Sequence, residues 1–230
     1  MIKMLYSIIC LTFVCISLQA QTKETVAILG DSYSTYEGYL TPDTNAIWYF
    51  RKEDKKRTDV ANVKQTWWWQ VIKDGGYKLG INNSFSGSTI CYSGYDDEDY
   101  SARSFVRRLT NLGTPDIIFI FGGTNDSWSG APIGEFKYDN FKRADMYTFR
   151  PAMAYMLQEM QNHYPNVKLY FISNSELKDE IISSMRIICQ HYGVKCILLK
   201  DIDKQNGHPS INGMRAIADQ VLQAINVEKW

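Results

Sequence analysis

The chain has 230 residues, 45% of them hydrophobic, and its 25 Lys and Arg balance 25 Asp and Glu. That length holds one large domain rather than two, and a neutral chain without a basic stripe lacks the electrostatic footprint of a nucleic-acid binder. Of five cysteines only Cys91, Cys189 and Cys196 lie beyond residue 20, an odd and scattered set that argues against a zinc site or a disulfide scaffold. Cys189 and Cys196 are spaced to bridge a helix end to the next strand, with buried thiols as the alternative.

The first twenty residues, MIKMLYSIICLTFVCISLQA, carry an early lysine, a short apolar middle and a small residue at Ala20. This is the pattern of a secretory signal, with cleavage expected before Gln21. The expected organisation is a signal peptide over 1–20 and a single domain over 21–230, exported to the periplasm or the medium. No later stretch is apolar enough to cross a bilayer.

Thr25–Ser34, TVAILGDSYS, opens the domain. Its apolar run predicts a strand buried on both faces, and the run stops at Gly30-Asp31-Ser32. Ser32 is thereby left at the carboxyl end of a strand, the edge where open α/β sheets bind ligands. Tyr33 to Asn62 reads as a long excursion over that edge, rich in aromatics and charged from Arg51 to Arg57. Trp67-Trp68-Trp69 begin a helix running to about Asp74 and stopped by Gly75-Gly76. Three adjacent tryptophans cannot share one helix face, so at least one turns from the core.

Tyr77–Asn82 predicts a second strand, with Gly87 in the loop leaving it. Asp96–Asp99 reads as a solvated acidic loop. Ser101–Leu112 has helical spacing, and Asp116–Phe121 is the most buried-looking strand, ending at Gly122-Gly123-Thr124-Asn125-Asp126. A second excursion, Ser127–Tyr138, precedes a helix over Pro151–His163. A strand at Val167–Ser173, a helix at Leu177–Tyr192, a strand at Val194–Leu199, a loop carrying His208-Pro209 and a helix over Ile211–Val227 complete the order. This alternation predicts five parallel strands with helices on both faces.

The strand ends converge on one chemistry. A serine, a histidine, a glycine N–H and an asparagine at one sheet edge are what acyl transfer requires. His208 can take the Ser32 proton, and the Ser32 and Gly87 N–H groups with the Asn125 side chain can hold the resulting oxyanion. His163 and His191 read as helix-end residues.

GDS at 30–32, Gly87 after Asn83, GGTND at 122–126 and HP at 208–209 fall in the order of four blocks found in the SGNH, or GDSL, hydrolases, which this chain resembles from about Thr25 to its C-terminus. The resemblance implies a flavodoxin-like α/β/α sandwich and a serine esterase needing no metal or cofactor. It makes Ser32 the nucleophile, His208 the base, and Gly87 and Asn125 oxyanion-hole members. The family usually carries an aspartate three residues before the histidine, where this chain has Gln205. Asp203 is the first choice to replace it, then Asp201; otherwise Ser32 and His208 act as a dyad, with a backbone carbonyl or Gln205 fixing the imidazole.

For an exported esterase with aromatics at its active edge, the expected substrate is a short O-acyl, chiefly acetyl, ester of a carbohydrate. Tyr36, Trp48 and Trp128 are the candidate sugar platforms, and Asp31 a further substrate contact. The alternatives are a lipid or thioester acylhydrolase, or a weakly active carbohydrate-binding protein of the same fold.

Overall fold

The computed structural model describes residues 22–226 apart from Glu53, so the expected signal over 1–20 and Val227 lie outside the described residues. Five strands, β1 (Thr25–Gly30), β2 (Lys78–Ser84), β3 (Ile117–Phe121), β4 (Lys168–Ser173) and β5 (Lys195–Leu198), pair in parallel. Their spatial order is β2-β1-β3-β4-β5. The direction of winding reverses between β1 and β3, and the crevice at that switch is where such sheets bind ligands.

Side-chain alternation along the strands builds the two halves of the core. Val26, Ile28, Ile117, Phe119 and Phe121 pack against α1 (Trp67–Asp74) and the last helix. Ala27, Leu29, Ile118 and Ile120 face the other way, onto two long helices. These two are separated from α1 by α2 (Phe105–Arg108) and α3 (Thr124–Ser129), and are α4 (Phe149–His163) and α5 (Asp179–His191). The last is α6 (Ile211–Asn226), whose Met214, Ile217, Ala218, Val221 and Ile225 make a continuous buried stripe. Each large apolar side chain buried this way contributes roughly 2–3 kcal/mol. The result is a flavodoxin-like three-layer sandwich. No helix among the described residues is long and apolar enough to cross a membrane.

Trp67 and Trp68 are fully buried, and Trp69 is the one turned partly outward. The helix expected over 101–112 is only the single turn α2. The Phe105 and Val106 N–H groups donate to the Thr89 and Ile90 carbonyls of a neighbouring loop, which ties the segment down from outside. The loop before α6 holds a small antiparallel hairpin, β6 (Lys204–Gln205) with β7 (His208–Pro209). Cys91, Cys189 and Cys196 are free thiols.

Candidate active site

β1 ends at Gly30, where even a Cβ would stand 2.6 Å from the Ser34 Cβ and the Ser84 Oγ. Only glycine lets the chain turn that tightly. Asp31 then caps a 3₁₀ turn over Ser32–Ser34, its Oδ1 accepting from the Tyr33 N–H at 3.0 Å. The turn is fixed from outside as well, since the Asn82 amide donates to the Ser34 carbonyl and the Trp67 indole N–H to the Ser34 hydroxyl. Ser32 is the first residue of this turn, and its Oγ is presented at the β1 edge.

His208 reaches the serine from the hairpin. Its Nε2 lies 3.0 Å from the Ser32 Oγ, and its Nδ1 lies 3.0 Å from the main-chain oxygen of Asn206. Asn206 and Gly207 have φ of +50° and +75°, the paired left-handed residues of a type I′ turn, for which Asn-Gly is the favoured sequence. Three side chains dock the hairpin through four hydrogen bonds. The Tyr33 hydroxyl donates to the Gly207 carbonyl at 2.6 Å, the Tyr49 hydroxyl to the Pro209 carbonyl at 3.0 Å, and the Asn206 amide to the carbonyls of Lys56 and Arg57. Burial pushes the imidazole pKa down to about 4, the Asn206 carbonyl pulls the other way, and the Arg57 charge adds to the depression.

Asn125, Gly87 and Ser32 itself are the donors expected to serve an oxyanion. Asn125 is the second residue of α3, with its Nδ2 donating one hydrogen to the Ser88 carbonyl and its Oδ1 accepting from the Tyr95 hydroxyl, both at 2.9 Å. The second Nδ2 hydrogen is thereby left over. Gly87 has φ +81°, and a Cβ built there meets open space. Within the described residues neither the Ser32 nor the Gly87 N–H donates to a carbonyl or side chain.

Beneath these donors lies a buried charged layer. Burial raises Asp31 to about 7, against the hydrogen bond from Tyr33. Burial likewise raises Asp126 to about 6, although the N–H groups of Ile90 and Cys91 donate to its carboxylate. Arg108, pushed down to about 9 by burial, donates to the carbonyls of Asn83, Gly30 and Arg103 and to the Ser88 hydroxyl. One guanidinium therefore joins the ends of β1 and β2 to the residue following Gly87. Neither Arg108 nor Tyr95 is marked by any local sequence pattern, since their importance comes from acceptors distant in the chain.

Several expectations need correction. The Asp203 carboxylate accepts from the Ser210 hydroxyl and its carbonyl accepts from the Ser210 N–H, so this residue braces the start of α6 rather than His208. Asp201 is exposed in the left-handed region. Gln205 donates to the Lys55 carbonyl. The backbone oxygen of Asn206 is what meets Nδ1, the main-chain alternative of the dyad reading. Asp31 is fully buried, so it supports the turn and cannot touch a substrate.

Tyr36 is buried with its hydroxyl on the Ala61 carbonyl. Trp48 stacks flat on His208, ring centroids 3.5 Å apart and planes at 7°, while the Arg57 guanidinium lies 4.1 Å from the Trp48 ring centre. Two groups that close cannot share a face, so both faces of the indole are covered. Trp128, 43% exposed and edge-on to His208 at 6.0 Å, is the aromatic of the three with a surface left for a ligand.

The chain matches the family model described as GDSL-like Lipase/Acylhydrolase over residues 24–225. It is 56% identical to a protein from Bacteroides ovatus whose crystal structure is named as a GDSL-like lipase, with a TM-score of 0.88, covering 90% of this chain and 100% of that one. A similarly named structure from Bacteroides uniformis is 51% identical, with a TM-score of 0.87 and coverage of 90% and 97%. A family two carbohydrate esterase from Clostridium thermocellum, solved with cellohexaose, shares the fold at 14% identity and a TM-score of 0.59, over 90% of this chain and 64% of its own. Among proteins of curated function, none matches the chain.

Proposed function

The chain belongs to the GDSL-like lipase/acylhydrolase family, whose members hydrolyse ester bonds, and from that premise we propose that it is an exported serine esterase removing acetyl or other short acyl groups from carbohydrates. The observation that carries this reading is the 3.0 Å contact between the Ser32 Oγ and the His208 Nε2, with the other ring nitrogen on the Asn206 carbonyl. A carbonyl oxygen only accepts, so Nδ1 carries the proton and Nε2 offers its lone pair to the serine.

In the proposed reaction His208 takes the Ser32 proton as Oγ attacks the ester carbon. The N–H groups of Ser32 and Gly87 and the remaining Nδ2 hydrogen of Asn125 stabilise the oxyanion, each donor worth roughly 3 kcal/mol of barrier. Collapse expels the sugar oxygen, which receives its proton from the imidazolium. A water molecule, deprotonated by His208, then releases the acid and restores Ser32.

A carbohydrate ester is favoured over a lipid because apolar exposure at the site is small. Of the exposed large hydrophobics among the described residues, Trp128, Phe136 and Ile187, Trp128 is the one packed against His208. The distant carbohydrate esterase of the same fold adds an analogy of fold alone. Export and a single mature domain over 21–230 rest on the signal-like pattern of residues 1–20.

Hydrolysis of p-nitrophenyl acetate, butyrate and octanoate by the protein and its Ser32→Ala variant tests the proposal. Activity that is greatest on acetate and absent from a folded Ser32→Ala variant is expected. Equal activity in both proteins overturns the serine mechanism, and a preference for octanoate overturns the substrate class.

A further inference from the structure

Among the described residues no carboxylate meets His208, and its Nδ1 is oriented by one main-chain oxygen. A single hydrogen bond fixes a point on the ring but not its plane, because the torsion that spins a histidine ring has a broad minimum. Something else must hold that plane in line with Ser32.

Four aromatic rings surround the imidazole. Tyr33, Tyr49 and Trp128 meet it tilted or edge-on at 5.3, 6.5 and 6.0 Å, and Trp48 alone lies parallel to it. Resting on the reading of Ser32 and His208 as nucleophile and base, we propose that Trp48, capped by Arg57, is the positioning residue that keeps the His208 ring aligned with Ser32 in place of the missing carboxylate.

Trp48 is referenced to the nucleophile itself. Its backbone N–H donates to the Thr35 hydroxyl at 2.9 Å, and that hydroxyl donates to the Ser32 carbonyl at 2.9 Å. Two hydrogen bonds therefore connect the chain bearing the clamp to the residue it must align with. The cap is tied to the other end of the system, because the Arg57 carbonyl accepts from the Asn206 amide and the Asn206 carbonyl receives the imidazole. The Arg57 guanidinium also lies 5.1 Å from the Phe50 ring centre, so two aromatic rings flank it. A planar cation stacked on an aromatic face is favourable by about 0.5–2 kcal/mol.

The clamp supplies orientation but not charge. Among the described residues the ionisable neighbours of the imidazole are Tyr33 in the serine turn and Tyr49 and Arg57 in the 33–62 loop; α3 presents the neutral Trp128, and the Lys204 ammonium of the hairpin is paired with Glu176. Burial raises both phenols, so they stay neutral, and Arg57 opposes a second positive charge. By covering one ring face Trp48 also keeps water from the imidazole, consistent with its depressed pKa. His208 is thus a weak base that stays neutral and correctly aimed.

The test compares Trp48→Ala, Trp48→Leu, Trp48→Phe and Arg57→Gln with the unmodified protein, using kcat and KM on p-nitrophenyl acetate across pH and NMR titration of the His208 ring. Trp48→Ala is expected to lower kcat by about 10- to 100-fold with KM within about twofold, as for a misaligned catalytic group. The His208 titration should move up from about 4 towards the free-imidazole value of about 6.5. Trp48→Phe should restore most of kcat, and Arg57→Gln should raise the His208 titration with a smaller loss. Trp48→Leu fills the space without a flat ring and carries the expectation of Trp48→Ala if that variant does not fold. Unchanged kcat and titration in Trp48→Ala or Trp48→Leu, even with a lowered melting temperature, overturns the proposal and leaves Trp48 as packing. Activity surviving in Ser32→Ala is a separate outcome that removes the serine reading on which the proposal rests.

Discussion

The imidazole of His208 is held by the carbonyl of Asn206, two residues earlier in the chain, while the nearest expected acid, Asp203, is bonded to Ser210. The carboxylate therefore belongs to the capping of α6, where the Ser210 hydroxyl in turn accepts from the Gly213 N–H. Asp203→Asn is expected to change kcat/KM by less than about threefold, in contrast to the orders of magnitude lost when a true triad acid is removed. It should lower stability by about 1 kcal/mol, the usual worth of such a cap. Parallel measurements of esterase activity and the urea midpoint check this, and a collapse of kcat would return Asp203 to the catalytic group.

The pH profile should be displaced towards acid. His208 has a folded pKa of about 4, below the ordinary value near 6.5, so the imidazole proposed as base stays neutral well below the usual range. The kcat/KM for p-nitrophenyl acetate is expected to hold level from about pH 8 to 5 and to fall with a midpoint near 4. The same shift acts on stability. Between pH 6.5 and 4 the unfolded chain takes up a proton that the buried ring refuses, so this group's contribution is lost as pH falls through that window. An activity midpoint near 6.5 would mean that the imidazole is hydrated.

Arg108 should be worth more than any other buried polar side chain, because it serves four acceptors and faces Asp31. Arg108→Met is expected to cost roughly 3–5 kcal/mol, the range for breaking a buried charge network. Asp31 sets its pH dependence. A carboxyl whose folded pKa is raised to about 7 loses stability as pH rises from its unfolded value through 7, and the Arg108 charge limits that loss. The variant should therefore be further below the parent at pH 8 than at pH 5. Urea denaturation at both values measures the difference, and equal losses would show that the cation does not compensate Asp31.

The sheet and its active edge are legible because buried parallel strands read as uninterrupted apolar runs, and turn residues stop each run where a ligand binds. Ser32 and Asn125 follow two of those stops, and His208 lies in the loop after the last strand. Composition alone does not choose between Asp203 and the main-chain carbonyl of the dyad alternative, because the choice is made by the Asn206-Gly207 hairpin turn. Its two left-handed residues pair Gln205 with His208, which folds the loop so that a main-chain oxygen, not a side chain, reaches Nδ1. The platforms are illegible in the sequence for a different reason. Tyr36 and Trp48 sit in an excursion that folds back on itself through Ala61 and Arg57, and no local pattern states which aromatics such a loop will bury.

On the carbohydrate reading, Trp128 is the aromatic left to stack on a sugar. It lies on α3 three residues after Asn125, edge-on to Tyr33 at 6.4 Å and to His208 at 6.0 Å, and close against Gly207. A sugar ring stacked on its exposed face would carry its ester towards Ser32. Loss of an aromatic contact of that size is worth about 1 kcal/mol, so Trp128→Ala should raise KM on an acetylated oligosaccharide by about five- to tenfold with kcat little changed. Ethyl acetate has no ring to stack, and its kcat/KM should be unaffected by the substitution. Steady-state kinetics on both esters separates the alternatives. Equal losses on the two would make Trp128 a support for His208, and a rise in KM confined to long-chain esters would make its surface an acyl-chain contact and favour a lipid substrate.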